Sequence, residues 1–136
     1  MKIVMDTNVL ASAATTRGLC ADVLREVFAE HDLVVCKQIT DELQRILIDK
    51  FGIDPPLVGD FLWLIRQDTI FVEPEIVPNV VLKDKDDLGI LAAAIASKAD
   101  ILVTGDKELQ ELKRIGTTAI LSPREFWQKL TNEPEN

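Results

Sequence analysis

The 136-residue chain has one histidine, His31, no tyrosine and only two cysteines. This scarcity all but excludes zinc sites built on histidines, Ser-His-Asp triads and histidine proton relays. The two cysteines, Cys20 and Cys36, lie in apolar stretches without C-x-x-C spacing, so we interpret them as reduced core thiols. Carboxylates and lysines must therefore carry any catalysis.

The chain also lacks a long hydrophobic run. Its longest unbroken apolar stretch, residues 90–96, is far shorter than the about 20 residues that cross a bilayer. Lys2 and three apolar residues precede Asp6, which is too little for the apolar segment of a signal peptide. These features predict a cytoplasmic protein without membrane association.

Basic residues are outnumbered, with 15 Lys and Arg against 23 Asp and Glu, which gives a net charge of -8. This balance disfavours a broad basic face for nucleic acid. A site for divalent cations needs uncompensated carboxylates, which would explain part of the excess. The hydrophobic content of 47% and the length are typical of one folded domain.

Short β-branched runs alternate with segments of helical period, which is the pattern of βαβ units around a parallel sheet. The predicted strands cover residues 2–5, 33–36, 70–72, 101–104 and 118–121. Helices are predicted around residues 20–28, 38–50, 55–67, 87–98, 107–114 and 123–130, and we expect the one at 55–67 to be well buried. The result is a three-layer α/β/α doubly wound domain with a central parallel five-stranded sheet over residues 1–130, followed by a frayed tail, 131–136.

Two acids follow predicted strands directly. Asp6 comes after the first strand, and Asp106 follows the fourth in the sequence Thr104-Gly105-Asp106. In an open doubly wound sheet, ligands bind beyond the carboxyl ends of the strands, where the strand order reverses. With the order 3-2-1-4-5, the two acids would be neighbours at that point.

Helical geometry selects two further acids. At 100° per residue, Glu42 lies at the edge of an apolar arc, whereas Asp41 points to solvent. In the helix near residue 87, Asp87 points inward and Asp86 faces away. Asp84 lies at or before the helix start, so we keep it as a candidate extra ligand.

Each acid also has an ordinary explanation. Asp6 and Asp106 can cap helices, acids at 84–87 can stabilise a helix N-terminus, and Glu42 can be a solvated surface residue. Taken singly, the structural explanation is the stronger one. Together, acids from four segments converging on one crevice favour a cation site, since like charges there are costly.

Supporting polar residues give weaker signals. Asn8 and Thr104 could orient carboxylates or a water, although such residues are also routine in turns and caps. Five cations are candidates for a phosphate path, although most surface lysines are only solvated. They are Lys37, Arg45, Lys83, Lys85 and Lys107.

Given these motifs, the sequence resembles the PIN-domain ribonucleases, in particular the toxins of prokaryotic toxin-antitoxin pairs. The resemblance covers nearly the whole chain. It rests on MKIVMDTNVL at 1–10, TDEL at 40–43, DKDD at 84–87 before ILA, and LVTGD at 102–106. Each segment is short, but their order and spacing together are fairly specific.

The resemblance implies a PIN-like fold and an acidic quartet that holds metal and performs catalysis: Asp6, Glu42, Asp87 and Asp106. It implies accessory roles for Asn8 and Thr104, and in the third motif Asp84 or Asp86 could share the role of Asp87. The implied activity is Mg²⁺- or Mn²⁺-dependent cleavage of single-stranded RNA, commonly by a homodimer that a small antitoxin inhibits. Oxygen ligands without histidine or thiolate suit these ions better than zinc.

Two other functions stay open. A metal-dependent phosphohydrolase or phosphotransfer domain also places Asp after the first strand, but a dehalogenase-like phosphatase needs a second Asp where this chain has Asn8. A PIN-like scaffold would bind RNA or a protein without cutting. The complete quartet favours the enzyme.

Overall fold

Six short strands form one sheet in the computed structural model, which describes residues 1–132. The sheet order is β3-β2-β1-β4-β6-β5, and every pair from β3 to β6 is parallel. This arrangement confirms the five parallel strands and the doubly wound order predicted from the sequence. The strands are β1 (Lys2–Met5), β2 (Asp32–Cys36), β3 (Thr69–Val72), β4 (Ile101–Val103), β5 (Arg114–Ile115) and β6 (Thr118–Leu121).

The edge strand β5 was not predicted. It contains two residues and pairs antiparallel with β6. The prediction of a helix through residue 114 was wrong, because the helix ends at Leu112 and Lys113 takes a positive φ of 61°. Gly116, also at positive φ, closes the turn into β6. Two residues are too few to produce a recognisable alternation of apolar and polar positions.

Within residues 1–132, seven α-helices surround the sheet. They are α1 (Thr7–Thr15), α2 (Leu19–Glu30), α3 (Lys37–Arg45), α4 (Pro55–Gln67), α5 (Asp86–Ser97), α6 (Lys107–Leu112) and α7 (Pro123–Asn132). The predicted helix at 38–50 is divided, since Ile46–Lys50 form a π-helical segment after α3. Helix α1 was not predicted, and α7 continues two residues into the predicted tail. The rest of that tail, 133–136, lies outside the described residues.

The order of the strands determines the layers. Strands β1, β2 and β3 follow one another in one direction, so right-handed connections put α1 to α4 on one face. The chain then crosses back from β3 to β4, and α5 packs against β1, β2 and β3. Strand β1 therefore lies at the reversal of strand order, and its carboxyl end opens into the crevice beside β4.

The central strands form the core, and apolar residues of β1, β2 and β4 are almost fully buried. The expectation of a well-buried helix at 55–67 was wrong. Only Val58 and Ile65 of α4 are buried, whereas Leu57, Trp63 and Leu64 are 60%, 62% and 61% exposed. Its apolar residues occupy all sides of the helix, whereas β3, α3 and the π-helical segment pack against only part of it. No helix within residues 1–132 is long and apolar enough to cross a membrane.

Candidate active site

An acidic cavity of about 490 Å³ opens at the carboxyl ends of β1 and β4. Helices α1, α5, α6 and α7 begin around it, and the positive ends of helices favour carboxylates. Among the described residues that line it, Arg45 is the one basic side chain. Six carboxylates line the cavity: Asp6, Glu42, Asp84, Asp86, Asp87 and Asp106.

Asp6 joins β1 to α1 and is buried. Its Oδ1 accepts a hydrogen bond from the Val9 N–H at 2.9 Å, which caps α1, and its Oδ2 accepts one from the Thr104 hydroxyl. Burial raises the pKa of Asp6, against the lowering effect of these hydrogen bonds. The nearby charge of Asp106 raises it further. Asp6 is thus both a helix cap and a cavity carboxylate.

Thr104 lies fully buried beneath the cavity and connects two of its acids. Its hydroxyl donates to Asp6 and accepts the backbone N–H of Asp106 at 3.0 Å. The Oδ1 of Asp106 in turn accepts from the N–H groups of Glu108 at 2.8 Å and Leu109 at 3.3 Å, capping α6. One hydroxyl therefore links the two acids that follow β1 and β4.

Glu42 reaches the cavity from α3. Its Oε2 accepts from the Thr7 hydroxyl and its Oε1 from the Gln38 side-chain amide, each at 3.0 Å. Sequence reasoning missed both donors, although Thr7 adjoins Asp6 and Gln38 lies one helical turn before Glu42. The predicted accessory Asn8 is exposed at the cavity rim, and its side chain makes no hydrogen bond within residues 1–132.

Gln38 also connects α3 to α5. Its amide nitrogen donates to the backbone oxygen of Asp86 at 2.7 Å. A Cβ atom at Gly89 would lie 1.7 Å from the Oε1 of Gln38, so a side chain at that position would displace the amide. Glycine in the middle of a helix lowers helix stability by about 1 kcal/mol relative to alanine. A glycine at position 89 of a predicted helix was therefore a sequence signal of close packing.

Asp87 lies in the first turn of α5, half-buried, with its Oδ2 buried and without a hydrogen-bond partner among the described residues. Burial, followed by the charges of Asp106, Asp84 and Asp6, raises the pKa of Asp87 to about 7. An unpaired buried carboxylate oxygen is costly, and a cation would relieve that cost. The cavity therefore suits a cation chemically.

The other two acids of the third motif are exposed. Asp84 accepts the backbone N–H of Asp86 through its Oδ1 at 2.9 Å. Asp86 was predicted to face away, yet it lies at the cavity rim. Within residues 1–132, no group of three or more His, Cys, Asp or Glu side chains has a geometry ready to hold a metal ion.

The two cysteines differ in their surroundings. Cys36 is buried as expected, whereas Cys20 is half-buried and lines the acidic cavity. Burial and then the charge of Asp6 raise the pKa of the Cys20 thiol. A protonated thiol is a poor metal ligand, so the chemistry of the cavity stays with its carboxylates.

Comparison with known proteins gives a family match and a fold match. A family profile described as PIN domain matches residues 2–108, a range that contains the whole predicted quartet. The fold resembles a chain of VapBC2 from Rickettsia felis, solved with a DNA fragment from their promoter: TM-score 0.64, 15% identity, 88% of this chain and 97% of that chain covered. The fold also resembles a chain of VapBC-1 from nontypeable Haemophilus influenzae, with a TM-score of 0.63 and 17% identity. That match covers 91% of this chain and 99% of the other. No curated protein matches the sequence.

Proposed function

The chain belongs to the PIN-domain family, whose members are nucleases, and we propose that it is a Mg²⁺- or Mn²⁺-dependent endoribonuclease acting on single-stranded RNA. This membership confirms the resemblance found in the sequence. The observation that carries the proposal is the buried, unpartnered Oδ2 of Asp87 in a cavity with five other carboxylates.

Four carboxylates would hold the metal: Asp6, Glu42, Asp87 and Asp106. When bound, a divalent ion lowers the pKa of a water and stabilises charge on the phosphate. Other residues of the chain orient these acids by hydrogen bonds: the Thr104 hydroxyl donates to Asp6, and the Gln38 side-chain amide donates to Glu42. Asn8, Asp84 and Asp86 lie at the rim, where they can orient water or substrate.

The first test is cleavage of single-stranded RNA by the purified protein with Mn²⁺ or Mg²⁺ and with EDTA. Asp6→Asn should abolish cleavage without unfolding the protein, because asparagine caps helices as well as aspartate but removes the charge. Asp60→Asn is the matched control, since Asp60 is exposed on α4 and lies outside the cavity lining. Cleavage that survives in Asp6→Asn or in EDTA would contradict the proposal.

We further propose that this nuclease is the toxin of a toxin-antitoxin pair, inhibited by a small antitoxin and acting as a cytoplasmic homodimer. Support comes from the PIN-domain match and from the shared fold with chains of two VapBC structures. A growth assay tests this role with the same variant: expression of the wild-type chain in bacteria should arrest growth, and expression of Asp6→Asn should not. Equal growth would contradict the toxin role.

One observation favours the alternative, a PIN-like scaffold that binds RNA or protein without cutting. Within the described chain, the carboxylates are not already arranged around a metal position. Repulsion between like charges keeps such groups apart until a cation binds. Calorimetric titration with Mn²⁺ separates the two functions, because binding without cleavage of any RNA would support the scaffold.

A further inference from the structure

A second cleft, of about 460 Å³, continues from the acidic cavity. The two share Glu42, Arg45 and Asp86, so they form one connected depression. We call the second part the basic cleft for its three cations, although three carboxylates, Asp41, Glu42 and Asp86, line it as well. Its lining consists of Lys37, Gln38, Asp41, Glu42, Arg45, Lys85 and Asp86.

The three cations come from two elements. Lys37 and Arg45 are eight residues apart on α3, on the same side of the helix and about 12 Å apart along its axis. Lys85 directly precedes α5. The cations therefore flank the cleft from both sides, next to the acids proposed to bind metal.

Two of these cations are not neutralised by the protein. Lys37 forms an ion pair with Asp41 at 2.6 Å. Arg45 and Lys85 are exposed and form no ion pair with the described residues, although Glu42 and Asp86 are close to them in sequence. In a chain of net charge -8, unpaired cations beside an acidic cavity are available for an external anion.

The structure also separates these cations from the other candidates. Of the five named from the sequence, Lys83 and Lys107 line neither the acidic cavity nor the basic cleft. Both are exposed and lie close in sequence to cavity acids. They provide matched controls for general electrostatic attraction.

We infer that the basic cleft binds the phosphate backbone of the RNA strand, with Arg45 and Lys85 contacting phosphates on one side of the bond to be cut. The inference rests on the proposed function. Cations that neutralise phosphates supply affinity and position the strand without reading its sequence. The strand then approaches across α3 and the start of α5, and the Lys37–Asp41 ion pair competes with the phosphate for Lys37.

The test measures binding of a short fluorescent single-stranded oligoribonucleotide by anisotropy, in the Asp6→Asn background to prevent cleavage, at several salt concentrations. Arg45→Ala and Lys85→Ala should each weaken affinity about tenfold and reduce the salt slope by about 0.7, the value for one lost phosphate contact on a single strand. Lys83→Ala and Lys107→Ala should change affinity less than about twofold. Asp41→Asn should tighten binding by releasing Lys37.

Kinetics in the wild-type background separate this inference from the nuclease assignment. Lys85→Ala, which lies outside the acidic cavity, should raise KM with little change in kcat or in Mn²⁺ affinity, and Arg45→Ala should raise KM as well. Cleavage with an unaltered KM in both variants would contradict the proposed role of the basic cleft. Equal losses of RNA affinity in all four cation variants would contradict it too. Neither result would contradict the proposed nuclease activity. Tighter binding of polyglutamate than of RNA, dependent on Arg45 and Lys85, would assign the cleft to a protein partner and also overturn the inference.

Discussion

At the scale of single residues, the Thr104 hydroxyl serves two carboxylates at once. Thr104→Val keeps the shape but removes this group, so the Oδ2 of Asp6 loses the Thr104 donor and the Asp106 N–H loses its acceptor. We expect a stability loss of about 1–3 kcal/mol, the cost of unsatisfied buried groups, together with weaker Mn²⁺ binding. Urea unfolding and calorimetric titration measure the two effects.

Thr104→Ser is the control, because serine retains the hydroxyl. It should recover Mn²⁺ affinity even if the lost methyl group lowers stability. Unchanged Mn²⁺ affinity in Thr104→Val would show that the hydroxyl does not position the acids.

Residue types and spacing named the acids of the cavity and Thr104 as a supporting residue, but not the donors Thr7 and Gln38. Asp6 and Asp106 follow buried strands, and helical angles separated Glu42 from Asp41, so chain geometry was sufficient. Thr7 and Gln38 act through contacts between elements, and the direction of such a side chain depends on packing that no periodicity records. The metal-binding roles of the quartet remain predictions.

At the scale of elements, Gly89 lets α5 approach the Gln38 side chain on α3. Gly89→Ala should displace the Gln38 amide, release Glu42 and lower kcat, even though alanine favours helix by about 1 kcal/mol. The matched control is Gly59→Ala in α4, where a Cβ meets nothing within 4 Å and stability should rise by about that amount. Activity assays and thermal unfolding of both variants test this.

The double variant Gln38→Ala with Gly89→Ala refines the test. If Gly89 acts through Gln38, the double variant should lose no more activity than Gln38→Ala alone. Additive losses would show that Gly89 affects the site by another route.

Sequence patterns predicted the parallel strands to within a residue, because short β-branched runs between helices have few other uses. Sequence patterns failed where an element was short or where small, polar and apolar residues were mixed along it. Strand β5 has two residues, and α1 contains small and polar residues that hide its period. The exposed face of α4 shows that apolar content does not determine which side of a helix the sheet covers.

At the scale of the whole molecule, the raised pKa values of Asp6 and Asp87 make stability depend on pH. An unfolded aspartate loses its proton near its ordinary pKa of 3.8, whereas folded Asp87 keeps it to about pH 7. Between these values the folded state binds more protons, so the contribution of Asp87 to stability falls as pH rises. Asp87→Asn should therefore stabilise the metal-free protein at pH 8 and have little effect near pH 4.

Mg²⁺ should reverse this dependence, because it favours the ionised acids. Thermal unfolding of the wild type should show a larger rise in Tm on adding Mg²⁺ at pH 8 than at pH 5. An equal rise at both pH values, or metal-free Asp87→Asn less stable than the wild type at pH 8, would contradict this account.

Asp6 and Asp106 each cap a helix and also line the acidic cavity, and this combination has an evolutionary consequence. Each closes the first turn of a helix, so most substitutions there cost about 1 kcal/mol of capping in addition to any activity. The Glu42 side chain caps no helix, so its substitution carries no capping cost. A lineage that abandons the activity should therefore lose Glu42 early and retain capping residues at positions 6 and 106 long after selection on the activity has ended.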